Sequence, residues 1–537
     1  MTGDVKRLDA AELKRQLHDG GEIALLDARE EGVFHGRHLL LASCVPLGRI
    51  ELLVDDLVPR RGTRIVWCDD GDGTASRAAR RMSALGYSDV AVLEGGIAAW
   101  EAAGYRVYSG VHVPSKAFAE VVEHEAGTPW ISATDLKALI DRGADIAIFD
   151  SRSYEEYHNN SIPTATSVPG AELVYRFADM VPSPDTTVIV NCGGRTRSII
   201  GAQALRNAGF RNRIMSLKDG TMAWHLAGFE VVKGATRRQA EVSEAGRQAA
   251  LEAASRVVER CVIRRIDKAT LAAWRGEAGQ RTLYVLDVRT PEEYLAGHLV
   301  GARSAPGGQL VQETDAHIAT LNARVVLVDD NGVRATMTAS WLQQMGWYDA
   351  AVLADDGSGG DWTSGRHVPR VLRLYPAAAV AGIAPAAVRE GLAAGRMAVV
   401  DLDTSRNYAQ GHIPGAWFAI RSRLAQDLAK LPKTEAMVLT SPDGALARLA
   451  AADLATGVTA PPPILVLEGG TEAWAKAGLP IETGASQMAS EPVDVVLSAR
   501  ERGVGREEAM REYLAWEIDL VNQMAEDDDQ RFRVVAG

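Results

Sequence analysis

The strongest constraint on this chain is that it repeats itself. Four short apolar runs end in an acid: IALLDAR at Asp27, IAIFDSR at Asp150, LYVLDVR at Asp287 and MAVVDLD at Asp401. The intervals between these acids are 123, 137 and 114 residues. A helical stretch precedes each run: AAELKRQLHDGG, SATDLKALIDRGA, DKATLAAWRGEAG and APAAVREGLAAGR. A second apolar run then enters a loop, as RIVWCDDGDG, TVIVNCGGRTR, RVVLVDDNGV and AMVLTSPDGA, and a helical pattern rich in Ala and Arg follows. The cycle closes on VAVLEGGIAAW, RIMSLKDGTMAW, AAVLADDG and ILVLEGGTEAW. Such repetition means one supersecondary unit used several times. Short β-branched strands alternating with helices predict βαβ units and a parallel sheet. The 537 residues thus divide into four α/β modules, each a central parallel sheet flanked by helices.

The modules are placed at residues 1–110, 111–235, 262–373 and 374–485. A charged, Ala-rich connecting helix is expected at 236–261, and a C-terminal helical extension at 486–537. A shorter helical connector is expected near 113–127. The apolar positions of the C-terminal helix suit either a neighbouring module or a second subunit, so a homodimer stays open. An apolar fraction of 47% and a charged fraction of 24% are those of a globular protein. A net charge of −12 argues against a broad nucleic-acid or anionic-membrane surface, though not against a local anion site. There is no long apolar run and no apolar leader at the start, so a cytoplasmic protein with no membrane partner is expected. The four cysteines, at 44, 68, 192 and 261, form no CxxC pair, which fits a reducing compartment and argues against structural zinc.

Between the acid-ending run and the second apolar run lies a further motif. It reads GHIPGA at 411–416, GHLVGA at 297–302 and NSIPTA in module two, and is reduced to GRHLLLA in module one. The acid-x-Arg strand end, the GHIPGA segment, the strand entering a cysteine loop and the LEGGxxAW close occur in one order. In that order they resemble the rhodanese family of sulfurtransferases over nearly the whole chain, as four tandem rhodanese-like modules. The resemblance implies an active cysteine in a loop between strand and helix, carrying sulfane sulfur as a persulfide. It implies no metal or organic cofactor.

Alignment of the loops decides which modules keep the nucleophile. Module two sets the ruler, because Cys192 begins CGGRTR and Gly209 ends the next helix 17 residues later. The same spacing puts Asp329 at that position in module three, from Gly346, and Asp69 in module one, from Gly86. Matching TSPDG to VDDNG puts Ser441 there in module four. Cys68 falls one residue early, and strand alternation turns it to the other face. Cys44 aligns with Ser167 and reads as structural, and Cys261 has no loop context. The pairs Asp27–Arg29, Asp150–Arg152 and Asp287–Arg289, which give way to Asp401 and Asp403 in module four, read as architectural strand-end salt bridges. Trp100, Trp224 and Trp474 read as core anchors.

A thiolate is the reacting form of cysteine. Gly193 and Gly194 allow the loop to curl so that backbone N–H groups point inward, and the helix expected from Ser198 adds its positive N-terminus. Arg195 and Arg197 add charge, and Thr196 and Ser198 add hydroxyl donors. Gly193 through Ser198 are therefore the candidate substrate-binding residues around Cys192. The donor expected is a small sulfur anion such as thiosulfate, and the acceptor cyanide, a thiol or a protein. Double displacement through the enzyme persulfide predicts ping-pong kinetics. Two other readings compete. A Cdc25-like phosphatase or arsenate reductase needs Cys-x5-Arg, whereas Cys192 to Arg197 is Cys-x4-Arg. A multi-module scaffold or sulfur-relay binding protein would use the three modules without the loop cysteine as interaction surfaces.

Overall fold

The computed structural model describes residues 5–354, 361–374, 380–455 and 463–535. Each module is built on a parallel five-stranded sheet. In module two the spatial order is Trp130–Ile131, Ile214–Leu217, Thr187–Asn191, Ile146–Asp150 and Thr166–Ser167. Thr187–Asn191 is central and flanked on both sides, which is why it reads Val-Ile-Val without alternation. The chain winds one way from this strand and the other way from Ile146–Asp150. The carboxyl ends of these two strands therefore open at the topological switch point, where parallel α/β sheets bind their ligands. Cys192 is the first residue beyond Thr187–Asn191.

The modules do not stand apart. Modules two and three share a core, in which Val190 and Leu205 pack in one cluster with Val311, Met337 and Trp341. The connecting helix seals it with Ala250, Ala253, Ala254 and Val257. That helix runs Glu244–Cys261, shorter than expected, because the Ser243 side chain caps it by accepting from the Gly246 N–H at 3.0 Å. The residues before the cap are extended instead, and Ser167 N–H donates to the Arg237 carbonyl at 3.0 Å. An ion pair joins each pair of neighbours: Arg334 with Glu172 between modules three and two, at 2.9 Å, and Arg421 with Glu51 between modules four and one, at 2.8 Å. Module three also lends Thr320–Leu321 to the edge of module one's sheet, antiparallel to Ile23–Ala24.

The C-terminal helix, Arg506–Ala525, lies on this chain's own modules. Leu520 and Met524 pack on Val113 and Ala117 of the connector helix Val113–Ala126, and Met510 and Leu514 on Met222 of module two. The tail beyond it is tied to module one through Lys14–Asp529 at 2.6 Å. Among the described residues no helix is long and apolar enough to cross a membrane.

Candidate active site

The Cys192 loop starts where the central strand ends and closes at Thr196, the first residue of the helix Thr196–Asn207. The helix thus begins two residues earlier than the sequence pattern suggests, with Arg195 in the cap position, so Ser198 lies in its first turn. The N–H groups of Gly193, Gly194, Arg195, Arg197 and Ser198 find no acceptor among the described residues. They belong to the loop that runs from Cys192 into the positive end of the helix, an arrangement that suits an anion. The following helix, Gly220–Leu226, holds the loop from behind. Thr221 N–H donates to the Cys192 carbonyl at 2.9 Å, and Met222 N–H to the Gly193 carbonyl at 3.2 Å. This explains why the LEGG-like motif travels with the loop. Any Cβ on Gly220 would collide with the Cys192 carbonyl, as on Gly96 with Asp69 and on Gly470 with Ser441.

The loop-start residues of the other modules share one bonding pattern. Asp69 accepts from Ala75 N–H at 2.8 Å, Asp329 from Ala335 N–H at 3.1 Å and Ser441 from Ala447 N–H at 3.3 Å, each six residues ahead. The residue six ahead of Cys192 is Ser198, whose Oγ is 3.5 Å from Sγ. The second oxygens of Asp69 and Asp329 accept from Gly71 N–H at 2.8 Å and Gly332 N–H at 2.6 Å. In each of these modules the chain's own carboxyl takes two loop N–H groups, although burial pushes both of these carboxyls up. Cys68 is fully buried in module one's core, donates to the Leu26 carbonyl, and has its thiol pushed well up by burial. Burial raises the Cys44 thiol in the same way.

The arginines of the loop serve other partners. Arg195 is buried against Glu120 at 2.7 Å from two directions, with Asp219 at 2.8 Å and Glu123 beside it. Arg197 forks onto Glu156 at 2.6 and 2.8 Å and reaches Gln309 of module three at 2.9 Å. Burial opposes ionisation of Glu156, but the Arg197, Arg152 and Arg500 guanidiniums outweigh it and hold its carboxyl well below the usual carboxylate range. Thr196 donates to Glu517 of the C-terminal helix at 2.6 Å, and Ser198 to the Arg195 carbonyl at 2.8 Å. Of the two hydroxyls expected at the sulfur, Ser198 is the one in contact with it. Gly193 and Gly194 do not take left-handed angles either. Side chains of the C-terminal segment crowd both. A Cβ on Gly193 would meet the Arg500 guanidinium at 2.5 Å, and one on Gly194 would meet Glu517 and Tyr513 at 3.3 Å.

Cys192, 2% exposed, lies in the floor of a cavity of about 720 Å³. Its walls come from every part of the chain: His112 and Lys116 from the first connector, Gln309 from module three, Arg406 from module four, and Arg500 and Tyr513 from the C-terminal extension. Arg500, Tyr513, Glu517 and Lys116 are absent from the set of residues expected from sequence. No local pattern marks them, and all but Lys116 are more than 300 residues from Cys192. The architectural readings fare differently. Asp150 and Arg152 form a fully buried pair at 2.7 Å, repeated by Asp27–Arg29 and Asp287–Arg289. Trp100, Trp224 and Trp474 are buried, and each donates its indole N–H to a backbone carbonyl six residues on.

A profile described as the rhodanese-like domain matches residues 9–103, 132–227, 268–360 and 384–477. The chain belongs to the rhodanese family. Among solved structures, the thiosulfate sulfurtransferase of Pseudomonas aeruginosa is 46% identical, with a TM-score of 0.94, over 99% of this chain and 100% of that one. Among curated proteins, an HTH-type transcriptional regulator of Mycobacterium tuberculosis is 33% identical over 111 residues, which are 20% of this chain and 48% of the regulator. The match therefore spans about half of that relative's length. Four rhodanese-like modules account for the repeats, and one of them carries a cysteine at the loop start.

Proposed function

We propose that this protein is a sulfurtransferase that moves sulfane sulfur from thiosulfate, or a similar small anionic donor, to cyanide or a thiol through a persulfide on Cys192. The observation that carries this reading is the Cys192 loop itself. It starts at Cys192, carries uncommitted N–H groups into a helix N-terminus, and lines a cavity. The likeness over the full length to a thiosulfate sulfurtransferase supports the choice of donor.

The steps balance without a cofactor. The Cys192 thiolate attacks the outer sulfur of thiosulfate. The Sγ–S bond forms, the S–S bond of the donor breaks, and the electron pair leaves on sulfite. The acceptor, cyanide or a thiolate, then attacks the terminal sulfur of the persulfide. Thiocyanate or a new persulfide departs, and the Cys192 thiolate returns. Both enzyme forms place negative charge at the loop, where preorganised N–H groups stabilise it without reorganisation.

Initial rates at varied thiosulfate and cyanide test this. The expected result is a family of parallel double-reciprocal lines, with all activity lost in Cys192→Ser. Intersecting lines, or activity that survives in Cys192→Ser, would contradict the reading.

A further inference from the structure

The charges around Cys192 do not balance evenly. Arg152 is matched by Asp150, and Arg195 by Glu120, Glu123 and Asp219. Arg197 is matched by Glu156. Arg500, from the segment that leads into the C-terminal helix, has no carboxylate of its own. Its nearest acid is Glu156, whose Oε1 lies 3.6 Å from Nη2 and already accepts from Arg197 at 2.8 Å. Among the described residues it makes no hydrogen bond, so its guanidinium donors are uncommitted. Burial presses against its charge, as do the neighbouring Arg152 and Arg197.

Its position is defined by the loop. The guanidinium lies against Gly193, so close that a methyl group there would be 2.5 Å from Nη1 and 2.8 Å from Cζ. It lines the cavity that holds Cys192. No other carboxylate of the cavity pairs with Arg500 among the described residues: Glu517 takes the Thr196 hydroxyl on one oxygen, Glu501 pairs with Arg406 at 3.3 Å, and Glu313 faces His112 at 3.9 Å. A guanidinium with free donors is the group best shaped to take an oxyanion in two parallel hydrogen bonds. The cavity of about 720 Å³ is in the range that holds organic ligands, well beyond what thiosulfate fills.

We propose that Arg500 is the oxyanion-recognition residue of the Cys192 site, reading either the sulfonate end of the donor or the carboxylate of an organic thiol acceptor. The identity of these substrates rests on the sulfurtransferase reading, whereas the oxyanion site does not. The C-terminal extension thereby completes a site that module two does not complete alone.

The test compares wild type, Arg500→Gln and Arg500→Lys in the full chain. Sulfate, an unreactive oxyanion, should protect Cys192 of wild type from alkylation by iodoacetamide. Protection should need about tenfold more sulfate in Arg500→Gln, as expected for the loss of one charge-assisted contact. Transfer kinetics then pair charged and uncharged partners: thiosulfate against a dialkyl trisulfide as donor, and mercaptoacetate against mercaptoethanol as acceptor. For the charged partner that Arg500 reads, kcat/KM should fall by about 10- to 100-fold, through KM, with partial rescue by Lys. The uncharged partners should change little. A loss confined to thiosulfate assigns the donor, and one confined to mercaptoacetate the acceptor. Equal loss on charged and uncharged partners, or no loss on any, overturns the proposal. Sulfate protection that depends on Arg500 in a wild type that transfers no sulfur would leave the oxyanion site standing and defeat the sulfurtransferase reading.

Discussion

The loop of module two and the loop of module three are built alike and finished differently. Each follows a buried central strand and feeds a helix, and each brings the residue at its start to the N–H side of that helix. In module three that residue is Asp329, and its two oxygens take the Gly332 and Ala335 N–H groups. In module two it is Cys192, and the N–H groups of Arg195 and Ser198, which hold the places of Gly332 and Ala335, are left without a protein acceptor among the described residues. Asp69 closes module one in the manner of Asp329, and Ser441 closes module four with one bond. The difference lies in what occupies the cradle. It is a set of donors that needs an acceptor, and three modules supply one from their own chain. Among the described residues module two supplies none at that place.

The largest test of this contrast is Cys192→Ser, which gives module two the residue of module four. Thiosulfate–cyanide transfer should fall by about 10³-fold or more, because the nucleophile itself is removed. Thermal melting should show the fold intact. Next comes the buried pair beneath the loop. Arg152→Met leaves Asp150 as an unpaired buried charge, and urea unfolding should show a loss of about 3–5 kcal/mol. A smaller effect is expected from Asp329→Ala, which strips both loop N–H groups of module three of their acceptor. Destabilisation of about 1–3 kcal/mol should follow, with Asp329→Asn milder because its amide oxygen can still accept.

A pH-dependent effect is expected in module four, where the strand-end acid has lost its arginine. Asp401 is buried and, with Asp403 beside it, its carboxyl is pushed up to about 7. A raised folded-state value means that the folded form holds the proton and the unfolded form releases it. Stability from this group is full below the ordinary aspartate range and is lost as pH rises toward 7. Urea midpoints of wild type should therefore fall between pH 4 and 7 relative to Asp401→Asn. Parallel pH profiles would show that Asp401 does not titrate in this window.

Much of this was legible in the sequence because it repeats locally. The strands, the acid–arginine pairs and the tryptophan anchors are short-range patterns that recur in order. The choice of Cys192 as the candidate nucleophile followed from a fixed spacing to the helix-ending glycines Gly86, Gly209 and Gly346. Chemistry carried by contacts distant in sequence was not legible. Arg195 and Arg197 looked like substrate ligands in the string CGGRTR, yet carboxylates from other elements hold both. The glycines beside Cys192 looked conformational, whereas the structure gives them no left-handed angles and brings Arg500, Tyr513 and Glu517 of the C-terminal segment close to them. Nothing in the order of residues announces that a segment after module four will close a site in module two.

The central claim is that one cradle of the four carries the sulfur. Peptide mass mapping of the full chain after incubation with thiosulfate alone tests it most directly. The account predicts one added sulfur atom, found on the peptide that contains Cys192. Sulfur on the peptides of Cys44, Cys68 or Cys261 with Cys192 unmodified would contradict it.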